Sequence, residues 1–521
     1  MLKLRGLVAI AICSIAASAA QADVKLPSIF GSGMVLQREM PVPVWGWAEP
    51  GEQVTVSFRD QSQTAQADAQ GNWKVKLNPL ALGEPGALTV KGKNSITLDN
   101  VLVGEVWVCS GQSNMQWSVN AALDPDLEKA SANFPQIRLF QVPLVTANEP
   151  QKDVKAQWQV CSPATIGNFT AVGYFFGRDL HQILDVPVGL IQTAWGGTRA
   201  EAWTSPDMMA KTEELQPILE GWKENLAHPK HIQAQKDYEA AVVKWEESAK
   251  AAQAAGKPAP QRPKAPDITM TSQHYPSNLY NAMVSPLVPY AIRGAIWYQG
   301  ESNASRAYQY RKLMPAMIQS WRDAWGQGDF PFYQVQLANF RPIKPDAGES
   351  DWAELREAQH MAAKTIPNVD AVCITDIGAA QDIHPKDKQN VGKRLVRMAL
   401  VDLYGVKNIV RQGPTFDSVT FDGKKAVVKF DTHGANLVSY YKEPLTGFAV
   451  AGEDKKWVWA EAKITAGDTV EVTAAGVDHP VAVRYNWSDN PQGTLFSEAY
   501  LPAYPFRSDT WEGVTAKNVK P

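Results

Sequence analysis

The chain has 521 residues, 45% of them hydrophobic, with 51 basic against 54 acidic side chains and a formal charge of −3. That length exceeds one ordinary core, so two or three domains are expected, and the apolar content argues against wholesale disorder. The charge is balanced and no basic stripe is visible, so nucleic acid is not an expected partner.

Residues 1–22 read as a secretory leader. Lys3 and Arg5 supply the positive start, Leu7–Ile15 the apolar centre, and Ala20-Gln21-Ala22 a small-x-small cleavage site. The apolar stretch is too short to span a bilayer comfortably. The expectation is an exported protein, periplasmic or secreted, with no membrane attachment once the leader is gone. Cys13 leaves with the leader, and Cys109, Cys161 and Cys373 remain. An odd number of cysteines allows one disulfide at most. Cys109 and Cys373 lie in apolar runs and read as small buried side chains.

Residues 23–100 alternate like short strands, as in Gln53–Phe58 and Trp73–Leu77. Turn signals at Glu49-Pro50-Gly51 and Gln70-Gly71-Asn72 separate them, which predicts a small β-sandwich. From 101 to 405 the pattern changes. Apolar runs of strand length occur at Val101–Val108, Val188–Thr193, Ile292–Tyr298, Tyr333–Leu337 and Ala371–Thr375. Helical periodicity marks Val172–Leu184, Tyr308–Trp325, Ala353–Ala363 and Val391–Tyr404. Strands alternating with helices predict an α/β domain with a parallel sheet covered on both faces. A polar helical stretch at 206–266, ending in a proline-rich return, reads as an insertion that is either a solvated bracket or a lid. After about 405 short strands resume, including Ala426–Phe430, Phe448–Ala451, Thr469–Thr473 and Val481–Tyr485, and residues 406–521 predict a second β-rich domain.

Ligands of parallel α/β sheets bind beyond the carboxyl ends of the strands. Four polar clusters follow predicted strands closely: Gly111-Gln112-Ser113-Asn114, Gly196-Gly197, Gly300-Glu301-Ser302-Asn303 and Asp382-Ile383-His384. Serine is a weak nucleophile that needs a base for its proton and donors for the developing oxyanion. Ser113, where a strand gives way to a helix, offers a hydroxyl and its own N–H. His384, held in an extended backbone by Pro385, offers the base. Either Asp382 or Asp376 suits the task of orienting the imidazole. Asn303 and the Gly196-Gly197 turn are candidate oxyanion donors. A carboxylate pair of Glu301 with Glu105 or Asp376 would instead suit glycoside hydrolysis, though no spacing singles it out. No metal-ligand spacing and no phosphate-binding glycine loop appears, so neither metal nor cofactor is expected.

These segments together resemble the sialate O-acetylesterase family of carbohydrate esterases. The likeness runs through Leu36-Gln37-Arg38, Gly104-Glu105-Val106-Trp107, Gly111-Gln112-Ser113-Asn114-Met115, Trp195-Gly196-Gly197-Thr198 and Asn278-Leu279-Tyr280-Asn281. It continues in Trp297-Tyr298-Gln299-Gly300-Glu301-Ser302-Asn303, Asp382-Ile383-His384-Pro385 and Leu501–Arg507. The resemblance implies an SGNH-type (GDSL-like) three-layer αβα catalytic domain flanked by N-terminal and C-terminal β-sandwich-like regions. It implies Ser113 as nucleophile, His384 as base and then acid, and Asp382 as its orienter. Ser113, Gly196 or Gly197, and Asn303 would supply the oxyanion hole. The implied substrate is an O-acetylated carbohydrate, either a sialic acid or a plant polysaccharide such as acetylxylan. Gln112, Trp195, Gln299 and Glu301 are candidate substrate contacts. Trp117, Trp203, Trp297 and Tyr298 flank the same loops and are either sugar platforms or core. A non-catalytic carbohydrate-binding protein is the rival class. It requires no Ser–His pair.

Overall fold

The structure, a computed structural model, describes residues 23–520, so the leader read at 1–22 lies outside it. Its centre is a mixed sheet in which Val369–Val372, Phe332–Val335, Gly294–Tyr298, Ser95–Gly111, Val188–Ala194 and Phe134–Gln141 run parallel in that order. Trp158–Cys161 closes one edge in the antiparallel sense. Each apolar run read from the sequence between 101 and 375 contributes a strand of this sheet. The strands Phe134–Gln141 and Trp158–Cys161 went unread. The first carries Pro135 and three exposed residues, and the second is a four-residue edge.

The strand Ser95–Gly111 explains much of the architecture. Its first residues alternate in exposure, whereas Val101–Gly111 are buried without a break. Alternation suits a sheet with one wet face, and a continuous apolar run suits a strand covered on both. In the second half, Val106 and Val108 point into a core shared with the helices Ala307–Trp325 and Asp351–Thr365. Trp107 and Cys109 point to the opposite face, into a core shared with Ala171–Leu184 and Lys388–Asp402. All four helices were legible in the sequence.

The boundary expected near residue 100 falls inside this unbroken strand. Gly86–Lys91 pairs with its first half antiparallel, and Val35–Gln37 pairs with Leu102–Gly104 in parallel. The N-terminal strands therefore share a core with the central sheet rather than enclosing their own. The C-terminal region does have a separate core, built from antiparallel sheets and filled by Val428, Phe448, Val470, Val483 and Phe506. Buried Arg356 joins it to the central sheet by donating to the carbonyls of Leu337, Ala338, Ser488 and Asp489.

The insertion is helical, as expected: Pro206–Lys211, Gln216–Ala227 and Pro229–Ala254. The last of these buries no residue. Its proline-rich return folds back on it, with Trp245 Nε1 donating to the Pro260 carbonyl at 2.7 Å.

Candidate active site

Three strands end at one level. Gly111 is in register with Ala194 on one side and Tyr298 on the other, so the chain leaves the sheet at the same height three times. Gly111 has φ +140°, and a Cβ there would lie 2.2 Å from the Tyr298 carbonyl oxygen, so only glycine permits the turn. Gln112 then caps a one-turn helix, Ser113–Gln116, its carbonyl accepting from Met115 and Gln116 at 3.0 and 2.9 Å. Ser113 stands at the first position of that turn.

His384 reaches Ser113 from the loop that precedes the helix Lys388–Asp402. Its Nε2 lies 2.9 Å from Ser113 Oγ, a hydrogen bond between segments 271 residues apart. The Trp117 ring stacks on the imidazole with centroids 4.7 Å apart and an interplanar angle of 15°. Burial lowers the His384 pKa from its ordinary value, the nearby Lys388 lowers it further, and Asp382 works in the opposite direction. Asp382 Oδ1 accepts from the His384 backbone N–H at 2.9 Å and stands 3.7 Å from Nδ1. The carboxylate thus holds the histidine's backbone and faces its ring at ion-pair rather than hydrogen-bond distance. Asp376 is taken elsewhere, by two 2.6 Å bonds from Arg394.

The Gly196-Gly197 turn packs directly on the nucleophile, since a Cβ on Gly196 would lie 3.3 Å from Ser113 Cβ. Gly196 N–H donates to Gln116 Oε1 at 2.8 Å. Asn303 sits behind this turn and is buried. Its Nδ2 donates to Glu201 at 2.9 Å, and its Oδ1 accepts from Ala200 N–H and Gln299 Nε2 at 3.0 and 2.6 Å. Its bonds therefore brace the loop that carries the glycines. Glu201 is completely buried, and the guanidiniums of Arg306 and Arg199 hold its pKa below the usual carboxylate value against the cost of burial.

The expected substrate contacts divide. Gln112 and Gln299 are buried and spent inside the protein. Gln112 Oε1 accepts from the N–H groups of Gly300 and Ser302 at 3.3 and 3.4 Å, tying two site loops together. Gln299 bridges the Thr198 carbonyl, Asn303 and Tyr310. Glu301 turns inward to Asn114, whose Nδ2 lies 2.6 Å from Oε1. Trp203, Trp297 and Tyr298 are core, whereas Trp117 and Trp195 are half-buried at the site. Glu105 lies within the sheet's central strand, six residues before Gly111, held by Arg38, Arg293 and Gln37, so the acids proposed to pair with Glu301 both belong to arginines. Cys109 is buried and its thiol is pushed far above its ordinary pKa, which leaves it inert as a nucleophile.

Sequence reasoning missed Asn114, Gln116 and Lys388. Asn114 Nδ2 also donates to the Ile383 carbonyl at 3.1 Å, and its Oδ1 accepts from Lys388 Nζ at 2.5 Å. Asn114 lay within a tetrad already singled out, so its position was visible although its task was not. Nothing local distinguishes Lys388 from a solvated helix-start lysine.

A family model described as carbohydrate esterase, sialic acid-specific acetylesterase, matches residues 103–253 and 267–400. Mouse sialate O-acetylesterase is 29% identical over 92% of this chain and 94% of its own length. The human sialate O-acetylesterase is 28% identical, with 92% of each chain covered. Among solved structures, a carbohydrate acetylesterase from Xanthomonas citri superposes with a TM-score of 0.78 at 37% identity, covering 94% of this chain and 100% of that one. The chain belongs to the sialic acid-specific acetylesterase family of carbohydrate esterases and is a carboxylic ester hydrolase.

Proposed function

We propose that this protein removes O-acetyl groups from sugars through an acetyl-enzyme on Ser113, in a catalytic domain of the SGNH three-layer type. The observation that carries the reading is the 2.9 Å contact between Ser113 Oγ and His384 Nε2. In the first step Nε2 takes the hydroxyl proton as Oγ attacks the acetyl carbonyl. The negative oxygen that develops is met by backbone N–H groups, those of Ser113 and Gly197, which have no protein partner among the described residues. Collapse expels the sugar hydroxyl, protonated by the imidazolium. Water, activated by the same nitrogen, then releases acetate. Asp382 faces the ring nitrogen remote from the serine and stabilises the imidazolium that forms in each half-reaction. Trp117 holds the ring plane.

O-acetylated sialic acids are the substrate class we favour, because the mouse and human relatives carry that activity in their names. We further propose that the enzyme is exported through its first 22 residues and meets its substrate outside the cytoplasm.

The test is turnover of a chromogenic acetyl ester by the purified protein and by Ser113→Ala. The variant should lose activity by about 10³-fold or more while its melting temperature holds. Undiminished turnover in Ser113→Ala would end the reading. Acetate release from a panel of acetylated sialic acids and acetylated xylo-oligosaccharides then separates the two substrate classes.

A further inference from the structure

One fully buried lysine touches the junction of the site loops. Lys388 opens its helix four residues after His384. Its Nζ donates to Asn114 Oδ1 at 2.5 Å and lies 5.2 Å from the centre of the Tyr298 ring and 5.8 Å from that of Trp117. Asn114 spends its amide on Glu301 and on the Ile383 carbonyl, one residue before the histidine. Trp117 stacks on His384 itself. The lysine therefore contacts the residue after the nucleophile and the ring that backs the base.

Such a placement is expensive. A buried amine loses its hydration, and apolar side chains of equal volume would generally pack there at lower cost. Glu301 compounds the expense, because its Oε2 is buried without a hydrogen-bond partner among the described residues. Costly ionisable groups gathered around a reactive pair are a signature of function rather than of stability.

We propose that Lys388 is a positioning residue for Ser113 and His384: through Asn114 it locks the nucleophile turn to the histidine loop, and it sets a cation against the Trp117 ring that backs the imidazole. The proposal rests on the serine–histidine reading above.

The charged and titratable groups around the lysine are few. Glu301 meets it through Asn114, and His384 stacks on Trp117; Asp382 and Asp387 also act on the amine by charge, and Glu301 and Arg356 act on the Tyr298 phenol. Burial pushes the amine down to about 7 and pushes the Glu301 carboxyl up. The lysine is consequently cationic on the acid side of neutrality, where an ordinary histidine would take up a proton. Its charge opposes that uptake. Removing the charge raises the His384 pKa, so more of the imidazole is blocked at a given acid pH.

The experiment measures kcat and KM for a chromogenic acetyl ester from about pH 5 to 9 in Lys388→Met, Ser113→Ala and the unaltered protein. For Lys388→Met we expect kcat about tenfold lower, KM within about twofold, and the acid limb of the profile moved up by about half a pH unit. The double variant Lys388→Met/Glu301→Gln removes the carboxyl left without a counter-charge, so it carries the test if the single variant does not fold. Its limb should move in the same direction by a smaller amount, because losing the carboxylate partly offsets losing the ammonium. An acid limb that stays in place in the folded variant overturns the proposal, whether or not kcat falls, because a merely structural lysine would leave the profile where it was. The Ser113→Ala arm reports separately: a dead Ser113→Ala with an unmoved Lys388→Met profile sinks the lysine proposal alone.

Discussion

Two aspartates competed for one role in the sequence, and the structure gives them different partners. Asp382 Oδ1 serves both the backbone N–H and the ring of His384, whereas Asp376 is locked to an arginine on the adjacent helix. Asp382→Asn should lower kcat by roughly 10- to 100-fold, less than where the carboxylate bonds the ring directly, because its ring contact is long. Asp376→Asn should leave kcat near its starting value and depress the melting temperature, since partly buried Arg394 loses its charge partner. Kinetics and thermal melts on the two variants decide the matter, and a larger kcat loss in Asp376→Asn would reverse the assignment. At this scale the sequence revealed the residues whose backbone is marked by neighbours. Ser113 follows the obligatory Gly111 and His384 precedes Pro385. The tasks of Asn114 and Lys388 left no local mark, because their bond joins positions 274 residues apart. Asn303 was marked by type and place as an oxyanion donor; its bonds to Glu201, Gln299 and Ala200, which depend on distant residues, were not legible.

Elements were the most legible level. Hydrophobic period found the four helices that flank the sheet, because each buries one apolar stripe against it. The helix Pro229–Ala254 was found by composition and differs in kind, since it buries nothing and contacts its own proline-rich return. Leu226 and Ile268, which bracket the excursion, line one cavity, so the chain leaves and re-enters the body nearby. Replacing 229–266 with a short Gly/Ser linker should leave the melting temperature within about 3 °C and small-ester turnover unchanged. The segment that follows does approach the site: a Cβ on Gly197 would lie 3.9 Å from His274 Cε1. A loss of turnover on acetylated oligosaccharides alone would show that the excursion handles the glycan; a loss of small-ester turnover would show that it supports the site itself.

Across the whole molecule, the modules are joined by polar contacts as well as by apolar packing. Val514 and Thr515 near the C-terminus bond Glu354 on the catalytic helix Asp351–Thr365, and Tyr504 Oη bonds the Ala371 carbonyl of the sheet. His360, on the same helix, packs against Tyr504 with ring centres 5.6 Å apart, and burial drives its pKa down to about 4. Its neutral form is favoured in the folded state, so its contribution is complete above the unfolded value of about 6.5 and is lost as pH falls toward 4. The slope from this group is at most about 1.4 kcal/mol per pH unit. His274 and His433 are depressed by burial in the same sense, so His360→Leu should flatten the fall in melting temperature between those limits without abolishing it. An unchanged slope would show that His360 is already solvated. Strand and helix positions, the order of the site loops and the Ser–His pair were readable in the chain alone, because period, glycine and proline act over a few residues. The merging of the N-terminal strands into the core of the central sheet, the arginine partner of Asp376, and the bond from Lys388 to Asn114 were not readable. Each depends on which distant side chains share a desolvated space, and burial creates that information only when the sheet is assembled.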